Sequence, residues 1–396
     1  MRINNKNRSL AVSTVDQKSE TIPADTGLLA PNPNTRFATL FDEKNPFLPE
    51  RGGELQQVQV AYETYGNLAE TGDNAILICH ALTGDAHVGN NPQQGDLPGW
   101  WVEIIGPGKS LDTDKYFVVC ANFLGSCYGT TGPVSINPKT GKRYDVDFPE
   151  VTVRDMVRVQ HALLQQLGVR EIAAVIGGSL GGMQVLEWAV MFPEMVRRII
   201  PIATTARHSA WSIALNETAR LAIMNDPDWQ NGNYDKQPLR GLSLARMIAM
   251  ISYRSQPSFQ ERFGREEVDL VKLNGSARIL NDQPPRFQVE SYLRYQGIKL
   301  VKRFDANTYL TITRAMDSHD LSRNREPLTV VLSNISAKTL CIGISSDVLY
   351  PPHEQREISE NIPNAEYREI ISEHGHDAFL IEFDQLNKMV SEFLVS

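Results

Sequence analysis

The chain has 396 residues, a formal charge of −8, 41% hydrophobic and 22% charged residues. These totals fit a globular protein with a sizeable core, as one large domain or two ordinary ones. The acidic balance excludes nucleic acid as the main partner, which would need a basic face, and no apolar run approaches the roughly 20 residues of a membrane span.

Residues 1–35 are polar and aperiodic and read as a loose tail with no apolar signal core, so a cytoplasmic protein is expected. The four cysteines, Cys79, Cys120, Cys127 and Cys341, are scattered and read as reduced thiols. Residues 36–206 form the first part of the expected core. "VQVAYETYG" (Val58 to Gly66) alternates like a half-buried strand. "NAILICHAL" and "YFVVCANFLG" are short apolar runs closed by turn residues, as in buried strands. "VTVRDMVRVQHALLQQLG" has helical spacing and a glycine stop. "EIAAVIG" is a strand, "MQVLEWAVMF" a helix and "VRRIIPIAT" a strand again. This alternation predicts an α/β fold: a mostly parallel sheet with helices on both faces.

From 207 to 330 the rhythm breaks into helical or irregular text, which reads as an insertion. It holds 18 Lys plus Arg against 14 Asp plus Glu, a net +4, leaving −12 for the remainder. The sheet pattern resumes over 331–396 with "KTLCIGISSD" and "AEYREIIS", and a last helix is expected from about His376.

Between the strand at Glu171 to Gly177 and the next helix, Gly177, Ser179 and Gly181 match G-x-S-x-G. In that turn the serine sits at a strained apex and the flanking glycines avoid a clash of side chains. Its hydroxyl then points out at the carboxyl edge of the sheet. The amide of Leu180 opens the helix and faces the reacting carbonyl as an oxyanion donor. A dinucleotide fingerprint fails on spacing and on the "PIATT" that ends the next strand.

A serine nucleophile needs a histidine base and a carboxylate to orient it, in the chain order Ser, Asp or Glu, His. His376 in "SEHGHDAFL" follows the last strand, with His374 as its rival. Asp347 ends the strand in "LCIGISSDVLYPP", before a proline-stiffened loop. Asp317 and Asp320 read as surface charges of the insertion. The second oxyanion amide is assigned to Leu82, in the loop after Ile76 to Cys79. His80 and His87 lack the neighbours of a metal site, so no metal is expected. Cys127 lacks the strand–turn–helix presentation and reads as structural.

Several longer stretches go further: "HALTGDAHV", "GWWVEIIGPGK", "NFLGSCYGTTGPVSINPKTGK", "DFPEVTVRDMV", "GGSLGGMQVLEWA", "FQVESYLRYQG", "DANTYL" and "GHDAFL". With these the chain, from about Asn34 to its C-terminus, resembles the homoserine O-acyltransferases of methionine biosynthesis. The resemblance implies an α/β-hydrolase fold whose helical insertion is a lid and the interface of a homodimer. It implies acetyl-CoA as cosubstrate with no bound cofactor, L-homoserine as acceptor, and an acetyl-Ser179 intermediate. It also implies Arg220, in "NETARLAI", and Asp377 as the residues that hold homoserine's carboxylate and ammonium. Here leucine follows the serine where many members have methionine. Succinyl transfer, serine as acceptor and, more remotely, an esterase are the alternatives; a fold used only for binding would not need Ser179.

Overall fold

The structure, a computed structural model, describes residues 32, 34–90, 98–269 and 283–395. The tail expected over 1–35 lies almost wholly outside the described residues. Eight strands form one sheet: β1 (Arg36–Leu40), β2 (Val58–Tyr65), β3 (Ala75–Cys79), β4 (Phe117–Ala121), β5 (Ile172–Gly178), β6 (Arg198–Ile202), β7 (Lys338–Ile344) and β8 (Ala365–Ile370). Their order is β1-β2-β4-β3-β5-β6-β7-β8. The first two pairings are antiparallel and the rest parallel.

The chain runs outward from β3 to β4, then returns to the other side of β3 with β5. The crevice beyond the carboxyl ends of β3 and β5 is thus a topological switch point, where open α/β sheets bind ligands.

Alternation along the strands divides the core. Ala75, Leu77 and Cys79 face a cluster with Val157 and Leu164 of α1 (Val153–Gln166) and Val185, Leu186 and Trp188 of α2 (Leu180–Met191). Ile76 and Ile78 face the opposite layer, with Trp101 and with Leu386, Val390 and Phe393 of the last helix. Thr152 starts α1 with a reciprocal cap: its side chain accepts from the amide of Asp155, whose carboxylate accepts from the amide of Thr152.

Between β6 and β7 stand α3 (Ala210–Met224), α4 (Leu239–Tyr253), α5 (Gln256–Phe263), α6 (Gln288–Val301), α7 (Ala306–Asp317) and α8 (Leu328–Ser333). Leu82, Leu180 and Met183 of the core share one apolar cluster with Ala219, Leu242, Tyr309 and Leu310 of this segment. The helical layer therefore sits over the carboxyl edge of the sheet. After β7 come α9 (Pro352–Asn361) and, after β8, α10 (Phe383–Val395).

Two elements depart from expectation. The last helix begins at Phe383, and His376 lies instead in a short 3-10 turn, Gly375–Leu380. Gly375 opens that turn at φ +70°, against the Arg254–Ser255 backbone, where a Cβ would collide. The proline-rich text after Asp347 continues as α9, with Pro352 in its first turn, where a missing amide proton costs nothing.

Candidate active site

β5 turns into α2 through Ser179, whose backbone stands at φ 60°, ψ −125°. Non-glycine residues adopt that region only where the surroundings impose it. A Cβ on Gly177 would lie 2.5 Å from the carbonyl oxygen of Cys79 and 2.8 Å from the carbonyl carbon of Gly181, and one on Gly181 would collide with the same Cys79 oxygen. The turn is thus pressed onto the end of β3. Its backbone is pinned: the Ser179 amide donates to Ile202 O (3.0 Å) and Thr204 Oγ1 donates to Ser179 O (2.8 Å). The hydroxyl has no hydrogen-bond partner among the described residues. Ser179 lines a small, partly open cavity together with His208, Asn216, Ser252, Tyr253, Tyr309 and Tyr350.

His376 Nδ1 lies 2.7 Å from Asp347 Oδ2. The other carboxylate oxygen accepts from the amides of Leu349 (2.8 Å) and Tyr350 (3.0 Å). A carboxylate only accepts, so Nδ1 carries the ring proton and Nε2 is left basic. The two loops are sewn together: Gly375 N donates to Ser346 Oγ (2.9 Å), Ser372 N to Ser345 Oγ (3.0 Å), and Ser345 Oγ to Ser372 O (3.1 Å). Burial works against a charged imidazole here, but the charge of Asp347, its hydrogen bond and the charge of Asp377 outweigh it, and the pKa of His376 is raised. His374, two positions earlier, precedes the turn and takes no part in this pair.

The His376 ring packs against Tyr350 (5.3 Å between centroids) and Tyr253 (5.7 Å), both of which also line the cavity with Ser179. Phe379, one turn on, packs on the imidazole at 5.8 Å and closes over Gly178, where a Cβ would be 2.6 Å from its ring. Ser179 and His376 make no hydrogen bond to each other, and His376 does not itself line the cavity; Tyr253 and Tyr350, which pack on its ring, link it to the lining that holds Ser179. The amides of Leu82 and Leu180 have no hydrogen-bond partner among the described residues. Gln184 Nε2 bridges Leu180 O (3.3 Å) and His80 O (3.4 Å), which ties the loop of Leu82 to the start of α2.

Arg220 is buried on α3, but its guanidinium is already matched. Nη1 lies 2.7 Å from Asp317 Oδ2, and Nε and Nη2 bond Glu217 at 3.1 and 2.8 Å. Its neighbours Asn216 and Ala219 line the cavity, and Arg220 does not. Asp317, expected as a surface charge, is 16% exposed and holds Asn216 and His208 as well as Arg220. Asp377 faces Arg254, whose Nε is 3.4 Å from Oδ2. Burial raises its pKa, against the opposing charges of Arg254, Arg246 and His376.

Sequence reasoning missed Arg246 on α4. Its guanidinium lies 5.3 Å from the centre of the Tyr253 ring and bonds no carboxylate among the described residues. Its charge also acts on Tyr309 and Asp377, both at the site. Arg246 does not itself line the cavity, but Tyr253, on which it packs, does, and a half-buried guanidinium with no carboxylate bonded to it has the chemistry to bind one. The missed signal was spatial, since Arg246 and Tyr253 are neighbours only at helical spacing on α4.

His80 is buried and stacks on Phe123 at 4.4 Å, with burial lowering its pKa to about 4. His87 faces Glu63 at 3.0 Å. Among the described residues no group of three or more His, Cys, Asp or Glu is placed to hold a metal ion, and no helix is long and apolar enough to cross a membrane. All four cysteines are free and buried, and burial pushes the Cys127 thiol well up.

Residues 74–383 match the family model described as alpha/beta hydrolase fold. The homoserine O-acetyltransferase of Carboxydothermus hydrogenoformans is 52% identical over 352 residues, covering 87% of this chain and 92% of its own. A crystal structure of homoserine O-acetyltransferase from Bacillus anthracis superimposes with a TM-score of 0.82 at 31% identity, over 91% of this chain and 98% of its own. Esterase E22 superimposes nearly as well, with a TM-score of 0.81 at 31% identity over 91% of this chain and all of its own. The chain belongs to the homoserine O-acetyltransferase family, built on the alpha/beta hydrolase fold.

Proposed function

We propose that the protein transfers an acetyl group from acetyl-CoA to the hydroxyl of L-homoserine, giving O-acetyl-L-homoserine for methionine biosynthesis. The observation that carries this reading is the strained Ser179 turn at a pocket beneath the helical layer whose Tyr253 and Tyr350 also pack on the imidazole of the His376–Asp347 pair.

Ser179 Oγ attacks the thioester carbonyl while His376 Nε2 takes its proton. The amides of Leu82 and Leu180 hold the oxyanion. The C–S bond breaks, His376 returns the proton to the departing thiolate, and an acetyl-serine remains. The homoserine hydroxyl then gives its proton to His376 and attacks, and the proton returns to Ser179. Asp347 holds the imidazole in the tautomer both steps require. Arg246 is better placed than Arg220 for the homoserine carboxylate, and Asp377 takes the ammonium. Arg220 then acts one step back, as the anchor of Asp317.

The helical layer as lid and homodimer interface is part of the proposal. Exposed Trp211, Ile213 and Leu221 on α3 and Leu244 and Ile251 on α4, two helices packed on each other, support it. The cytoplasm is the proposed compartment.

The likeness to esterase E22 favours a second reading, in which water takes the acetyl group. Release of free CoA from acetyl-CoA, with and without L-homoserine, separates the two. Turnover that needs homoserine is expected; rapid steady release without it would make the protein a hydrolase. Ser179→Ala should lower turnover about 10⁴-fold or more.

A further inference from the structure

We propose that His208 sets the hydrogen-bond polarity of the Tyr350 phenol, so that Tyr350 reads the ammonium group of the acceptor amino acid. The proposal rests on the acyl-transfer reading above and deepens its acceptor site.

His208 is buried, lines the cavity of Ser179, and has no part in the chemistry described so far. Its two ring nitrogens face different partners. Nδ1 lies 3.1 Å from Asp317 Oδ1, a close approach off the ideal hydrogen-bond line. Nε2 lies 3.0 Å from the Tyr350 hydroxyl. Asp317 is held in turn by Arg220 (2.7 Å) and Asn216 (2.8 Å). This places a second aspartate–histidine pair beside His376–Asp347, with a phenol where the first pair meets an alcohol.

The protons follow from the partners. One proton on the ring satisfies both partners, because the phenol beside Nε2 can donate as well as accept. The single ring proton faces the carboxylate, which can only accept. Nε2 is then a lone pair, and the Tyr350 hydroxyl donates to it. Tyr350 is fully buried, and its one proton is used inside the wall. Its oxygen therefore offers the cavity lone pairs only.

Such an oxygen repels a carboxylate and accepts from N–H. On an amino-acid alcohol the hydroxyl proton goes to His376 and the carboxylate has none, so the ammonium is the group that fits. Tyr350 is also fixed to the catalytic pair, since its own amide donates to Asp347 Oδ1 at 3.0 Å. An ammonium bound there is positioned relative to the base.

The test compares L-homoserine with 4-hydroxybutanoate, which keeps the alcohol and the carboxylate and lacks the ammonium. Wild type, Tyr350→Phe and His208→Phe are assayed with acetyl-CoA. Rates are normalised to active serines counted by a p-nitrophenyl acetate burst. The readout is the ratio of kcat/KM for homoserine to that for 4-hydroxybutanoate. Tyr350→Phe should lower the ratio about ten-fold or more, the worth of one hydrogen bond to a charged group. His208→Phe should lower it too, because the freed phenol proton can turn into the cavity. A general structural role would depress both acceptors together, so an unchanged or increased ratio in Tyr350→Phe overturns the proposal. Should His208→Phe not fold, the near-isosteric Tyr350→Phe decides alone. A wild-type protein that acetylates neither acceptor defeats the transfer reading itself, a distinct result.

Discussion

Two arginines compete for the acceptor's carboxylate, and their surroundings predict different damage on removal. Arg246 stacks on Tyr253 and bonds no carboxylate among the described residues. Replacing it with methionine keeps the stem and removes the fork. A charge-assisted contact to a carboxylate is worth about 1.5–3 kcal/mol, so the KM for homoserine should rise roughly 10- to 150-fold. The melting temperature should barely move. Arg220 is the opposite case. Asp317 is 16% exposed and loses its 2.7 Å ion pair when Arg220 becomes alanine. Breaking a buried pair from one side costs about 3 kcal/mol, somewhat less here because Asn216 and His208 remain. A fall of about 3 °C in melting temperature is expected, with a smaller rise in KM. The assay is steady-state kinetics in homoserine at saturating acetyl-CoA, alongside thermal denaturation of both variants. If Arg220→Ala raised KM as much as Arg246→Met while melting normally, Arg220 would be the clamp, and the reasoning from its matched charge would be refuted.

Two further outcomes follow from titrating groups. His376 must be neutral to act as base and its pKa is raised, so kcat/KM should climb with pH along a limb centred above the ordinary histidine value of about 6.5. Asp347→Asn should shift that limb downward as well as cutting the rate about 10⁴-fold; an unmoved limb would assign it to another group. Glu354, on α9, has its pKa raised to about 7 by burial, opposed by a hydrogen bond from Thr205 and reinforced by the charges of Asp347 and Glu357. Below the ordinary carboxyl value both folded and unfolded chains hold this proton. Between that value and about 7 only the folded chain does, so ionisation destabilises the fold as pH rises. Glu354→Gln should add about 1–2 kcal/mol at pH 8 and little at pH 4.5, measured by urea denaturation; equal gains at both would argue against the titration.

The parts legible in the sequence were those whose meaning is local. Gly177, Gly181 and Ser179 announced their turn because steric demands act between residues two apart, and the backbone at φ 60° meets that demand. β3 to β7 showed as apolar runs because the centre of the sheet is buried on both faces, and β2 showed as an alternating one. β1 did not. "RFATL" is five residues at the sheet's edge with only Ala38 and Leu40 inward, too short a pattern to stand out before its partner β2 is known. Pro352 at the start of α9 was a readable signal taken instead for loop stiffness.

The wall of the cavity was not legible, for a different reason. His208, Asp317 and Tyr350 lie on three segments up to 142 positions apart, and nothing local distinguishes them from other buried or surface residues. Yet this wall has to separate transfer from hydrolysis. Esterase E22 shares the fold over its whole length, and a serine–histidine–aspartate set serves either reaction. Nor is the anchoring of the helical layer a natural place for the difference. Arg154 and Arg325 both bond Glu187 of α2, at 2.9 and 2.7 Å, which ties the segment returning from that layer to the helix that presents Ser179. What remains to choose between an amino acid and water is the set of polar groups lining the cavity: a matched or unmatched arginine, the direction of one phenol proton, and the carboxylate beside the base.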